Sequence, residues 1–133
     1  MGIFDDAAEQ YDAARPDYPT EVYDLFESAT GPLTGQIVGD GGTGTGIVAR
    51  QLLERGARVV AFDPGLEMLR RARLRTPSLP LVMTEAAAAS FRTASMDAVC
   101  FGQSWHWVEQ RSGAREAARI VRPGGWWAAW WPS

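Results

Sequence analysis

The stretch Val38–Gly46 reads VGDGGTGTG and contains five of the chain's 14 glycines. It lies between a short segment at 36–39, which has the composition of a β-strand, and a segment at 46–55 with helical spacing. Glycine lets the backbone turn sharply and lets a ligand approach without a Cβ atom in the way. The stretch therefore predicts a ligand-binding loop between a strand and a helix.

Strand and helix patterns alternate outward from this loop. Helical spacing precedes it at 22–29 and recurs after 66 and at 114–121, and the further strands are predicted at 58–62, 79–83, 96–101 and 126–131. Such alternation predicts an α/β fold, with a parallel sheet and helices on both of its faces. Ligands of these folds bind beyond the carboxyl ends of the strands, where Asp63 closes the second strand.

Composition limits the class of protein. The 133 residues are 46% hydrophobic and carry a net charge of −3, which predicts one domain over residues 1–133 and no nucleic-acid partner. A single cysteine, Cys100, excludes an intramolecular disulfide and a cysteine-built metal site, so we expect no metal. The acidic start and the short apolar runs lead us to expect a cytoplasmic protein without a signal peptide or membrane segment.

The loop alone leaves the cofactor open. Gly39–Gly44 formally matches the dinucleotide pattern G-x-G-x-x-G, with Asp63 about 20 residues further on. That pattern is weak in any glycine-rich stretch, and it would place the anionic Asp40 beside a pyrophosphate. A phosphate-binding loop of the G-K-[ST] type is excluded because the chain has no lysine. A carboxylate at Asp40 instead suits a ligand with positive charge, and Asp63 suits the hydroxyls of a ribose.

At this point the chain resembles class I S-adenosylmethionine-dependent methyltransferases, in the small-molecule branch called type 11. The loop is similar to that family's D-x-G-x-G-x-G motif, and four further segments match in order. The matching segments are Asp40, Gly42, Gly44 and Gly46; Asp63, Pro64 and Glu67–Leu69; Gln103–Trp107; Ile120–Gly125; and Tyr11, Arg15, Pro16, Tyr18 and Pro19.

The resemblance implies S-adenosylmethionine as cofactor and assigns a role to each matching residue. The loop would hold the methionine part, Asp63 the ribose and Met68 the adenosine, while Tyr11 and Arg15 would close over the methionine carboxylate. His106 is the candidate catalytic base, although a packing role between two tryptophans is an equal alternative. The implied cofactor-binding residues are Tyr11, Arg15, Asp40, Gly42, Gly44, Gly46, Asp63, Pro64, Met68, Glu85, Ala86 and Gln103.

The sequence also departs from the family's pattern. Gly39 and Gly41 replace the aliphatic residues usual beside Asp40, from which we expect a weaker first strand and a looser loop. The family's sheet has seven strands in the order 3-2-1-4-5-7-6, whereas this chain accounts for five. The resemblance thus divides the domain into an N-terminal helical cap at 1–32 and a Rossmann-like three-layer core at 33–133.

Two functions follow from that comparison. The first is methyl transfer to a small-molecule acceptor, with an oligomer or partner completing the acceptor site. The second is a non-catalytic subunit of the same fold that assembles with a larger partner enzyme. Both involve association as a homo-oligomer or heteromer through the edge strand Trp126–Trp131, because an apolar edge strand favours pairing with another chain. A nicotinamide-dependent enzyme is the third alternative.

Overall fold

The computed structural model describes residues 17–84, 90–101 and 110–129. Strands and helices alternate through this part of the chain, as the sequence predicts. In chain order the elements are α1 (Thr20–Thr30), β1 (Ile37–Gly41), α2 (Ile47–Glu54), β2 (Arg58–Asp63), α3 (Leu66–Arg75), β3 (Leu81–Met83), β4 (Met96–Phe101), α4 (Gln110–Ile120) and β5 (Val121–Ala129).

The described strands form one five-stranded sheet in the order β3-β2-β1-β4-β5. Every neighbouring pair is parallel, and β1 pairs with β2 from Ile37 opposite Arg58 to Gly41 opposite Phe62. The prediction of a parallel α/β sheet is confirmed. Because the strands are parallel, the carboxyl ends of β1, β2, β3 and β4 lie along one edge, which we call the carboxyl edge.

Alternate side chains of the strands point to opposite faces of the sheet, and each face packs in its own hydrophobic core. On one face Val59 and Ala61 of β2 pack in the cluster that includes Tyr23 of α1 and Leu52 of α2. On the other face Phe62 packs with residues of β4 and α4. Period-two alternation in the strands therefore places helices on both faces, as predicted.

The glycines of β1 make room for side chains of neighbouring strands. A Cβ atom at Gly41 would lie 2.7 Å from Cδ1 of Phe101 and 2.9 Å from Cζ of Phe62. A Cβ atom at Gly39 would lie 2.7 Å from Sδ of Met96 and 3.3 Å from Cε1 of Phe62. The space that aliphatic residues would take is thus filled by large side chains from β2 and β4.

The predicted start of the last strand is wrong. The sequence predicts helical structure to 121 and a strand from 126, whereas β5 begins at Val121, directly after α4. The register changes within β5, since Met96 lies opposite Val121 and Ala98 lies opposite Trp126. The glycine and proline of this segment therefore form a bulge inside a strand.

A carboxylate fixes the amino ends of three strands near this bulge. Oδ2 of Asp97 accepts a hydrogen bond from the backbone N–H of Ile37 at 2.7 Å, and Oδ1 accepts one from Nε of Arg122 at 2.5 Å. These two donors lower the pKa of Asp97 below its ordinary value, the backbone N–H having the larger effect. The side chain thereby joins β4 to β1 and to β5.

Candidate functional site

The glycine loop lies at the carboxyl edge, directly after β1. Gly42, Gly44 and Gly46 have φ angles of +63°, +57° and +86°, in the left-handed region that glycine adopts without strain. Helix α2 begins at the next residue, Ile47. The sequence thus folds here into a tight turn from strand to helix, which is the arrangement that the loop predicts.

Asp63 lies at the end of the adjacent strand β2 and contacts this loop. Its side chain is buried, with 8% of the residue exposed. Oδ2 accepts a hydrogen bond from the backbone N–H of Gly44 at 2.9 Å, and Oδ1 accepts one from the backbone N–H of Gly65 at 2.8 Å. A carboxylate accepts about four hydrogen bonds. The two backbone contacts therefore hold the Asp63 carboxylate in one orientation beside the loop.

Asp40 lies under the loop. Only 1% of the residue is exposed, and Oδ2 accepts a hydrogen bond from the Thr43 hydroxyl at 2.7 Å. The backbone N–H of Thr43 donates to the carbonyl of Phe62 at 2.9 Å, which attaches the loop to β2. Asp40 therefore holds the loop in place through its hydrogen bond with Thr43.

The charge of Asp40 affects two other buried groups. Burial raises the pKa of the Cys100 thiol well above its ordinary value, and the carboxylate of Asp40 raises it further. The same two causes, in the same order, raise the pKa of Tyr23. Cys100 is fully buried in β4, where it packs as a small core residue.

Two glycines of the loop, Gly44 and Gly46, differ in what surrounds them. A Cβ atom built on Gly44 meets no heavy atom within 4 Å, whereas one on Gly46 would lie 3.2 Å from Cβ of Ala72. The hydroxyl of Thr45, between them, is buried and has no hydrogen-bond partner among the described residues. The backbone at Gly44, beside the oriented Asp63, is therefore open to an approaching ligand.

The apolar residues near Asp63 differ in how far they are exposed. Met68, which the resemblance assigns to the adenosine, is only 4% exposed in α3, and Pro64 is half-buried. Leu66 is instead 49% exposed at the start of α3, and Met83 is 61% exposed opposite Asp63 in the register of β3. Sequence reasoning missed these two residues because an apolar pattern does not show which members are exposed.

Several predicted site residues lie outside the described residues. The structure therefore provides no geometry for them, and their roles stay predictions. They are Tyr11, Arg15, Glu85, Ala86, Gln103 and His106.

Two kinds of feature are absent from the described part of the chain. No group of three or more His, Cys, Asp or Glu side chains in residues 17–84, 90–101 and 110–129 could hold a metal ion. Within those ranges no helix has the length and apolar character needed to cross a membrane.

The fold and the site together define a class of protein. A parallel sheet with a glycine loop after β1 and an oriented carboxylate at the end of β2 is the arrangement in which Rossmann-like domains bind nucleoside-containing cofactors. Residues 39–129 match the family model described as a methyltransferase domain, and the chain belongs to that family. The resemblance to class I S-adenosylmethionine-dependent methyltransferases is thereby confirmed.

Similar proteins agree with this assignment. An uncharacterized methyltransferase of Mycobacterium tuberculosis is 38% identical over 122 residues, which are 92% of this chain and 49% of that protein. The demethylmenaquinone methyltransferase of Corynebacterium kroppenstedtii is 33% identical over 129 residues, with 92% and 55% covered. The chain thus spans about half the length of the curated relatives it matches.

Solved structures show the same fold. An S-adenosylmethionine-dependent methyltransferase from Mesorhizobium loti superposes with a TM-score of 0.67 at 25% identity, over 77% of this chain and 50% of that chain. A methyltransferase in complex with the Trm112 methyltransferase activator of Haloferax volcanii gives 0.76 at 21% identity, over 96% and 57%. The second likeness concerns the fold alone.

Proposed function

We propose that the protein transfers a methyl group from S-adenosylmethionine to a small-molecule acceptor. The observation that carries the proposal is the carboxylate of Asp63, buried and held by the backbone N–H groups of Gly44 and Gly65. A carboxylate fixed in this way presents preorganised acceptors to a pair of ribose hydroxyls. Membership of the methyltransferase domain family supports the reaction class.

The chain's own residues would bind the cofactor and exclude water. S-adenosylmethionine supplies an electrophilic methyl group when it is bound. The Gly44 backbone and Asp63 would hold its methionine and ribose parts, and Arg15 would pair with its carboxylate. Because methyl transfer needs mainly orientation, a base is required only for an acceptor that loses a proton, and His106 is the candidate for it.

A small-molecule acceptor is supported by one of the relatives. The protein from Corynebacterium kroppenstedtii is a demethylmenaquinone methyltransferase, and its likeness extends over 92% of this chain. Because the chain spans 55% of that relative, we extend to this protein only the class of acceptor, a small molecule.

Isothermal titration calorimetry with S-adenosylmethionine, S-adenosylhomocysteine and NADH tests the proposal. We expect both sulfur compounds to bind and NADH to produce no heat. Asp63→Ala should abolish binding, whereas Asp24→Ala, at an exposed carboxylate on α1, should leave it unchanged. Absence of binding of either sulfur compound to the wild-type protein would overturn the proposal, and binding of NADH would favour a nicotinamide enzyme.

A second candidate function is assembly with another chain through β5. This strand lies at the edge of the described sheet, and Trp127 is 40% exposed on it. An apolar strand edge favours pairing with a second copy or a partner enzyme, which would complete an acceptor site. The Haloferax volcanii complex illustrates that this fold can be found with a protein partner.

Light scattering at micromolar concentration tests this second candidate. We expect an oligomer, or a stable complex once a partner enzyme is supplied, and Trp127→Lys should dissociate it because the substitution charges the edge. Leu25→Lys, at a residue 70% exposed on α1, is the matched control and should leave the assembly intact. A monomer in the absence of a partner would count against self-association.

A further inference from the structure

Helix α3 exposes one face that contains both leucines and arginines. The exposed residues follow one another at intervals of four, three and one, so at 3.6 residues per turn they lie within an arc of about 100°. We call them the arginine–leucine face: Leu66, Arg70, Arg73 and Leu74. Leu74 is 76% exposed and Leu66 is 49% exposed. The helix therefore packs on the sheet with one side and presents apolar and cationic side chains with the other.

The charge of α3 is opposite in sign to that of the rest of the chain. The helix contains four arginines and one glutamate, a net charge of +3, so the remaining residues carry −6 of the total of −3. Oε1 of Glu67 lies 3.8 Å from Nη1 of Arg70, and Oε2 lies 3.5 Å from Nε of Arg71. Nη1 of Arg73 donates to the backbone carbonyl of Pro77, a neutral acceptor. One carboxylate does not neutralise the helix, so this face complements a negatively charged partner.

The arginine–leucine face extends along the helix from the carboxyl edge. Leu66 comes three residues after Asp63, which ends β2, and Met83, 61% exposed, ends β3 at the same edge. Leu74 comes eight residues after Leu66, a rise of about 12 Å along a helix. A flat surface can therefore contact both leucines and the arginines between them at once.

We propose that the arginine–leucine face docks the protein on a membrane surface that contains anionic lipids. The arginines pair with lipid phosphates, and the two leucines enter the boundary between the headgroups and the acyl chains. Four cations on one helix are the charge pattern that an anionic leaflet attracts. The inference does not depend on the proposed function, because none of the four residues of the face is assigned to the cofactor.

The exposed leucines favour a membrane over a nucleic acid. Contacts with nucleic-acid phosphates use polar and cationic groups, and single strands are held by stacking on aromatic rings. Helix α3 has no aromatic residue, and Leu74 would gain no apolar contact against phosphates. At a membrane, the long arginine side chains reach the phosphates while the leucines leave water. A second copy of the same face is disfavoured because it would bring like charges together.

Co-sedimentation with lipid vesicles tests the proposal. Vesicles of phosphatidylcholine alone are compared with vesicles of phosphatidylcholine and phosphatidylglycerol in equal parts. We expect binding to the anionic vesicles only, and its loss when salt rises from about 0.1 M to about 1 M, because the screening length falls from about 10 Å to about 3 Å. Each arginine near an anionic surface contributes about fivefold to partitioning, so Arg70→Gln/Arg73→Gln should weaken it by roughly 25-fold.

Two matched controls separate this face from the rest of the surface. Arg92→Gln/Arg115→Gln removes the same charge from two exposed arginines outside α3 and should leave vesicle binding at the wild-type level. Leu74→Ser should weaken binding to anionic vesicles, whereas Leu25→Ser, at a residue 70% exposed on α1, should not. All four variants change exposed side chains, so their melting temperatures should equal that of the wild type.

Each other outcome overturns the proposal. The wild-type protein binding neither kind of vesicle, or binding both equally, would show that the face does not recognise anionic lipid. Equal losses in the two double arginine variants would show a response to total charge alone. Tighter binding to an RNA oligonucleotide than to anionic vesicles, lost in Arg70→Gln/Arg73→Gln, would assign the face to a nucleic acid instead. Calorimetry with S-adenosylmethionine is independent of all these results, so their failure leaves the proposed function intact.

Discussion

Replacing Gly41 by alanine tests whether the glycines of β1 weaken the strand or are required by it. The added methyl group would lie 2.7 Å from Cδ1 of Phe101 and 2.9 Å from Cζ of Phe62. Both contacts are shorter than the separation that real Cβ atoms keep, and both involve rings that are buried in the same core. Phe62 and Phe101 pack edge to face at 6.4 Å, so neither ring can move without disturbing the other.

Two opposing free-energy terms decide the sign of this change. Loss of chain entropy in the unfolded state favours alanine by about 0.5–1 kcal/mol. Overpacking of a filled core costs about 1–3 kcal/mol. Taking the middle of each range, we expect Gly41→Ala to lower the free energy of unfolding by roughly 1 kcal/mol, and the melting temperature by about 4 °C.

Denaturant unfolding of Gly41→Ala and Gly39→Ala gives the measurement and its control. At Gly39 the methyl group would meet Sδ of Met96 at 2.7 Å, the end of a flexible side chain that can turn away. Gly39→Ala should therefore cost less than Gly41→Ala. A Gly41→Ala protein as stable as the wild type, or more stable, would refute the packing argument and restore the view that these glycines weaken β1.

Three further predictions concern the loop, the amino-end clamp and the core thiol. Gly44→Ala should weaken S-adenosylmethionine binding about tenfold or more by calorimetry, while its left-handed φ costs only about 1–2 kcal/mol of stability. The lowered pKa of Asp97 contributes stability that is present above its unfolded pKa of about 3.9 and is lost as the pH falls through the folded pKa. Between pH 7 and pH 3 the free energy of unfolding should therefore fall less for Asp97→Asn than for the wild type. Cys100 should react with a thiol reagent at least about 100-fold more slowly in the native protein than in denaturant, because burial raises its pKa.

Local sequence signals predict the elements whose boundaries depend on local chemistry. The glycine loop and Asp63 both lie where the order of strands and helices places them, because glycine backbone freedom and strand periodicity are properties of neighbouring residues. The start of β5 depends instead on pairing with β4, in which Val121 lies opposite Met96, 25 residues earlier in the chain. A contact of that kind leaves no signal in the local pattern.

The apolar residues around Asp63 show the same limit within the site. Leu66, Met68 and Met83 are equally apolar, yet only Met68 is buried. Within α3 the buried residues are Met68, Leu69 and Ala72, so Leu66, at the first turn, lies outside the buried stripe of the helix. Which of these side chains faces a ligand is therefore decided by tertiary packing.

The glycines of the loop motif serve two different physical purposes, one at the start of the motif and another further along it. At Gly41 the missing Cβ atom is replaced by the rings of Phe62 and Phe101, so the protein itself fills the space. At Gly44 the space stays open, while its backbone N–H orients Asp63. Alanine substitutions along the motif should therefore change from a loss of stability at Gly41 to a loss of cofactor affinity at Gly44. A single role for all the glycines, whether flexibility or ligand approach, would give one kind of loss at both positions.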